Sequence, residues 1–177
     1  KSEEIRTLVE KLICGLVRNL LVVARDELIR LDRFDKLNAP KAPFKVYDRR
    51  ELEERFGQDY EAQLPLEIHD PVWVINMPRE FYDFEDPVTG VWDNYDLLLP
   101  QYGEVLSGGR REWEYSKITT KMKRDSIAIE NYEELLKLAK EGRLRPSAGA
   151  GIGVERLVSW LAGAKHVGET QPFPKIP

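Results

Sequence analysis

Apolar residues at Ile5, Leu8, Val9, Leu12, Ile13, Leu16, Val17, Leu20 and Leu21 recur three and four apart, with Lys, Arg and Glu between them. That spacing predicts an amphipathic packing helix over residues 1 to about 32. The stretch Asn38 to Phe44 holds two prolines and reads as an extended linker. Phe44 to Tyr47 follows as a short strand, and Asp48 reads as the N-cap of a helix that stops at Gly57. The β-branched and aromatic run Val72 to Asn76 predicts a strand, and Arg79 to Phe84 a second one. A turn at Asp86 to Gly90 separates these from strands over Val91 to Leu99 and Tyr102 to Ser107, which together form an antiparallel meander. Helices are expected at Ser116 to Lys123 and Tyr132 to Glu141. After them comes a glycine-spaced strand from Pro146 that turns into the helix Val154 to Ala162. The expected class is α+β, an antiparallel sheet flanked by helices, with no internal repeat.

Composition narrows the chemistry. The 177 residues carry 27 Lys and Arg against 31 Asp and Glu, a net charge of −4. No global positive field exists to hold a nucleic-acid backbone, and the basic stretch Lys117 to Arg124 reads as a solvated helix face. One cysteine, Cys14, and two histidines exclude an internal disulfide and a Cys/His zinc site, so a metal here is a hard cation on carboxylates. Cys14 reads as a small buried hydrophobe, the four tryptophans as core, and His69 and His166 as surface or capping residues. The apolar runs are too short to span a membrane, and no signal peptide is visible, which suggests a cytosolic protein. The sequence begins at Lys1, without a methionine, inside a predicted helix, and reads as the back part of something longer.

Two constellations can carry chemistry. Gly149, Gly151 and Gly153 alternate along the last strand, so one face of it is bare backbone on which a flat ligand can lie. Arg156 opens the following helix beside that face, where a guanidinium can meet a phosphate. The plainer alternative is a glycine bend that lets a helix pack closely on a sheet. The second constellation is Asp96, Glu104, Ser107 and Arg111. Asp96 and Glu104 fall on adjacent antiparallel strands, and two carboxylates with a hydroxyl suit Mg²⁺ carried on substrate phosphates. Here the alternative is acidic residues flanking a turn and a solvated ion pair. Arg79 and Glu80 either reach a substrate from a strand end or decorate an edge.

Both constellations, in this order, resemble the back half of a class II aminoacyl-tRNA synthetase catalytic domain, aspartyl/asparaginyl branch. The resemblance rests on Phe81-Tyr82, Asp96-Leu-Leu, Gly103-Glu104, Ser107-Gly-Gly and Pro146 to Leu157. It covers residues 44–177, with 1–43 as connector helix and linker. Arg79 to Tyr82, Ser147 to Arg156 and Gln171 to Pro174 look most like the archaeal asparagine synthetase that is a paralogue of asparaginyl-tRNA synthetase. The resemblance implies that Asp96, Glu104 and Ser107 hold Mg²⁺ on ATP and that Arg156 grips the ATP phosphates. It implies too that Arg111 grips the amino acid, and that Gly149, Gly151 and Gly153 underlie nucleotide and substrate. Arg111, Arg156 and Glu104 would then be the catalytic set.

The implied reaction is AMP-forming: aspartate becomes an aspartyl-adenylate, and ammonia converts it to asparagine. Position 147 is Ser where the tRNA-charging enzymes of this branch usually carry His, which favours the synthetase paralogue. Nothing matches class motifs 1 and 2, which supply part of the ATP site and the expected homodimer contacts. Two alternatives stay open: an asparaginyl- or aspartyl-tRNA synthetase fragment, for which tRNA is a partner, and a non-catalytic synthetase-like binding subunit.

Overall fold

The computed structural model describes residues 2–173. Lys1, and Pro174 of the Gln171 to Pro174 motif, lie outside that range. Five strands form one sheet in the order β1 (Lys45–Asp48), β2 (Val72–Ile75), β3 (Asn94–Leu99), β4 (Gly103–Arg111) and β5 (Ser147–Ile152). The β1–β2 pair is parallel and the other three are antiparallel.

The first helix is shorter than its periodicity suggests: α1 runs Ser2–Val23, and a break at Ala24 starts α2, Arg25–Arg30. Its residues Val9, Ile13, Cys14 and Val17 pack on the back of the sheet against Trp73, Tyr95 and Leu97. Leu8 and Leu12 of the same apolar arc stay exposed. Glu10 is buried because its Oε1 accepts from Trp73 Nε1 at 2.8 Å and from Phe44 N at 3.2 Å. That one oxygen ties helix, linker and sheet together. On the same back face lies α7, Val154–Ala162, through Leu157, Trp160 and Leu161.

The front of the sheet is covered unevenly. Asp48 caps α3 (Arg49–Phe56) by accepting from Arg50 N, and Gly57 ends it at φ +70°, as expected. A further helix, α4 (Tyr60–Glu67), has no counterpart in the sequence reading; Pro65 sits inside it. Together α3 and α4 pack Leu52, Tyr60 and Leu64 over Val72, Val74 and Leu98. At the far end α5 (Tyr115–Arg124) and α6 (Glu133–Lys140) enclose Phe81 with Ile118, Met122, Leu136 and Ala139. Between these covers the front of β4 and β5 is open.

One expected strand is absent. Residues 79–84 form a loop joined to the sheet by the isolated bridge Asp83 to Arg111, and a second bridge, Glu85 to Trp92, closes the Asp86–Gly90 turn. The aromatic content of Arg79 to Phe84 goes instead into the α5–α6 cluster, where Phe81 lies 4.8 Å from Tyr132. The meander is therefore β2–β3–β4, and β4 runs on through Arg111, well beyond Ser107. The basic helix face also needs correction. Lys121 is buried, donates to the Asp83 carbonyl and pairs with Glu112 at 3.6 Å. Burial pushes the Lys121 ammonium below its usual range.

Candidate active site

Sheet register decides which candidates share a face. Val74, Asp96, Ser107 and Gly151 are paired in a row across β2 to β5, so their side chains stand on the front. Asn94, Gly109 and Gly149 form the next row in one direction. Val72, Leu98 and Glu104 form the row in the other. Glu104 and Ser107 are three apart, a spacing that places residues on opposite faces of a regular strand. A bulge resolves this: the register shifts between Leu97 and Leu98, which leaves Val105 as an extra residue on β4. Val105 and Leu106 both join the core behind, and Glu104 and Ser107 both face front.

The glycine strip leaves one stretch of the front face bare. A Cβ added at Gly149 or Gly151 would meet nothing within 4 Å, so the chain itself does not require glycine there. Gly108 is different, because a Cβ would come within 2.5 Å of the Gly149 carbonyl oxygen and 2.8 Å of Tyr95. Gly108 serves close packing; Gly149 and Gly151 leave an open surface. Gly153 is the N-cap of α7 and lies against the Arg156 side chain.

Arg156 and Arg111 bracket this stretch. Arg156 is exposed and donates from Nη1 to the Glu104 carbonyl at 2.7 Å. Together with Asp96, Glu104, Tyr60, Glu61 and Met77 it lines a cavity of about 230 Å³. Arg111 closes the other end, paired across the sheet with Ser147. Its Nη1 is bound by Asp83, its guanidinium lies 5.2 Å from the Tyr82 ring centre, and its side chain is 41% exposed.

The proposed metal ligands are arranged less simply. Asp96 is buried, and its Oδ2 is bound by Arg79 Nη2, while Arg79 Nη1 donates to Ser107 Oγ. Burial raises the Asp96 carboxyl to about 6, a rise only partly opposed by the Arg79 charge; Glu104 pushes it the same way. Its second oxygen, Oδ1, is buried with no hydrogen-bond partner. Among the described residues no three His, Cys, Asp or Glu side chains form a metal cluster. The donors present are thus the unpartnered oxygen of Asp96, the exposed Glu104 carboxylate and the Ser107 hydroxyl. They are all hard oxygens, few enough that phosphates must complete the shell, and that set fits Mg²⁺.

A family model described as tRNA synthetases class II (D, K and N) matches residues 1–177. The chain belongs to the class II tRNA synthetases. It is 34% identical over 172 residues to the asparagine–tRNA ligase of Mycoplasma mobile, covering 92% of this chain and 38% of that protein. It is 36% identical over 135 residues to the enzyme of Streptococcus thermophilus, covering 73% of this chain and 30% of that one. Among solved structures, the asparaginyl-tRNA synthetase of Entamoeba histolytica in complex with asparaginyl-adenylate superposes with a TM-score of 0.86 at 26% identity. That likeness covers 99% of this chain and 45% of the other. The Pyrococcus horikoshii asparaginyl-tRNA synthetase gives 0.83 at 27%, over 100% and 46%. The chain thus spans less than half the length of these relatives, and its sheet with flanking helices is a class II synthetase core fold.

Within this class II fold the sequence-derived residues Asp96, Glu104, Ser107, Arg111, Gly149, Gly151 and Arg156 share one face or its rim. The cavity under α4 also involves Tyr60, Glu61 and Met77, which sequence reasoning did not single out. Nor did it find Asp83, whose partner Arg111 lies 28 residues away and becomes a neighbour only through the bridge to β4. Arg79, read from sequence as reaching a substrate from a strand end or decorating an edge, instead binds Asp96 and Ser107 from a loop. The remaining candidates lie elsewhere: His69 is exposed, and His166 Nδ1 accepts from Gly168 N as a cap. Cys14 is buried, and so are Trp73, Trp92 and Trp160. Trp113 is half-buried, stacked 5.9 Å from Phe84. No described helix is long and apolar enough to cross a membrane.

Proposed function

We propose that this chain carries the phosphate and amino-acid side of the active site of an ATP-dependent, AMP-forming ligase that makes asparagine from aspartate and ammonia. The observation that carries the reading is the bare Gly149–Gly151 strip, bracketed by Arg111 at one end and by Arg156 and Glu104 at the other. A carboxylate oxygen of aspartate attacks the α-phosphorus of ATP, the bond to pyrophosphate breaks, and aspartyl-adenylate forms. Ammonia then attacks the acyl carbon, the C–O bond to AMP breaks, and a proton is released. Arg156 holds phosphate oxygens, and its tie to the Glu104 carbonyl keeps it over the strip. Arg111, seated on Tyr82 and pinned by Asp83, offers its remaining N–H groups to a carboxylate of the amino acid. Glu104, Asp96 and Ser107 are the groups that would hold Mg²⁺, which when bound neutralises phosphate charge as it develops.

Support for ammonia as the acceptor is Ser147, which stands opposite Arg111 where tRNA-charging enzymes of this branch usually carry His. A second reading, asparagine–tRNA ligase, is favoured by the relatives at 34% and 36% identity and by the neighbour solved with asparaginyl-adenylate. The test is the complete gene product with aspartate, ¹⁵N-ammonium, ATP and Mg²⁺. Labelled asparagine and AMP in equal amounts, without tRNA, support the first reading. Asparagine esterified to tRNA, with no free asparagine made, establishes the second. If calorimetry gives no ATP–Mg²⁺ heat that Arg156→Ala removes, the chain is a binding subunit.

A further inference from the structure

Arg79 sits where a cation is expected. It lies in the loop after β2, outside the sequence-derived metal set, yet its guanidinium binds Asp96 Oδ2 with one nitrogen and Ser107 Oγ with the other. Its side chain is 21% exposed and that of Asp96 6%, so the pair is held against the sheet and largely shielded from water. The sulfur of Met77 lies 3.9 Å from Nη2 and backs the guanidinium from its own loop. Asp96 Oδ1 is buried and has no hydrogen-bond partner, and Asp96 and the exposed Glu104 both line the cavity under α4.

We infer that Arg79 is an internal counter-cation of the acidic site, which keeps free divalent ions out and admits the metal only as its complex with a nucleotide. The inference rests on the proposed ATP–Mg²⁺ site and adds an order of events to it. Two positive groups sharing Asp96 repel each other strongly in a site shielded from water, so a bare dication gains little by entering. A metal that arrives with triphosphate oxygens brings its own negative charge. It needs less from Asp96, and Glu104 with one Asp96 oxygen suffices. Arg79 then keeps its bond to Oδ2 and holds Asp96 in place, or releases it to a phosphate.

The experiment measures binding directly, using Mn²⁺ and electron paramagnetic resonance on the full chain without substrates. Arg79→Gln removes the charge while leaving a polar side chain; Arg79→Lys keeps the charge. The expected result is Mn²⁺ bound about tenfold or more tightly by Arg79→Gln than by the wild type. Arg79→Lys stays at the wild-type level, and the gain disappears in Arg79→Gln/Glu104→Gln. If Arg79→Gln binds Mn²⁺ no better than wild type, or the gain survives loss of Glu104, the inference is wrong. Binding of Mn²⁺–ATP to the wild type reports separately on the ATP site: its absence sinks the proposed function, whereas the substrate-free comparison decides the role of Arg79.

Discussion

Replacing Asp96 by Asn makes the protein more stable at neutral pH, although the residue belongs to the proposed active site. Burial raises the Asp96 carboxyl from 3.8 to about 6 even with Arg79 bound to it. At about 1.4 kcal/mol per pH unit, holding this group ionised in the fold costs on the order of 3 kcal/mol above pH 6. The sign follows from proton binding. Below about pH 4 folded and unfolded chains both carry the proton, and no penalty exists. Between pH 4 and 6 the folded chain keeps a proton that the unfolded chain releases, so wild-type stability falls as pH rises. Asn mimics the protonated acid at every pH. Asp96→Asn should therefore melt several degrees higher than wild type at pH 7.5, at about 2–4 °C per kcal/mol for a chain of this size. The two proteins should converge near pH 4. Circular dichroism melts in EDTA at the two pH values make the comparison. An Asn variant no more stable at pH 7.5, or a gap that persists unchanged at pH 4, would show that Asp96 carries no burial cost in the fold. The result also bears on function, since a buried acid retained against stability is what a working site demands.

Four further outcomes are expected. Gly151→Val folds with a stability within about 1 kcal/mol of wild type, because its side chain enters open space and suits a strand, yet it loses ATP binding by calorimetry; retained binding would remove the ligand bed from the model of the site. Gly108→Ala, by contrast, meets the Gly149 carbonyl and Tyr95 and should lower stability by about 1–3 kcal/mol in urea titrations. Arg156→Ala, which loses one hydrogen bond at an exposed position, leaves the melting temperature unchanged and abolishes the ATP–Mg²⁺ heat. Asp83→Asn frees Arg111 to change rotamer: amino-acid binding weakens about tenfold, one charge-assisted hydrogen bond's worth. Because burial already raises the Asp83 carboxyl, the fold holds, and circular dichroism alongside calorimetry separates the two effects.

How far the sequence carried depends on the range of the interaction concerned. The Asp48 cap, the stop at Gly57, the Asp86–Gly90 turn and the strand-to-helix passage at Gly153 are set by residues within a few positions of each other, and each stands where local chemistry puts it. Residues 79–84 failed as a strand because Phe81 found a better partner in the α5–α6 cluster than any sheet edge offered. In the same way α4 was hidden by Pro65, which breaks an isolated helix but is tolerated when Tyr60 and Leu64 pack over Val72 and Val74. Tertiary burial outweighed propensity in both places.

The order of residues along the chain is enough to name the chemical groups: carboxylates at 96 and 104, a hydroxyl at 107, arginines at 111 and 156, and the glycine strip between them. Their order along the chain is what suggested the class II family to which the chain belongs. Which of them face one another depends on how the strands pair and the loops fold back. The bulge at Val105 turned Glu104 and Ser107 to the same side. The loop after β2 brought Arg79 onto Asp96, and the bridge to β4 brought Asp83 onto Arg111. Each of these depends on contacts between residues 17 to 28 positions apart, or on a register shift within the sheet. No local spacing encodes such pairings, because they arise when strands choose a register and a core chooses which side chains to exclude from water.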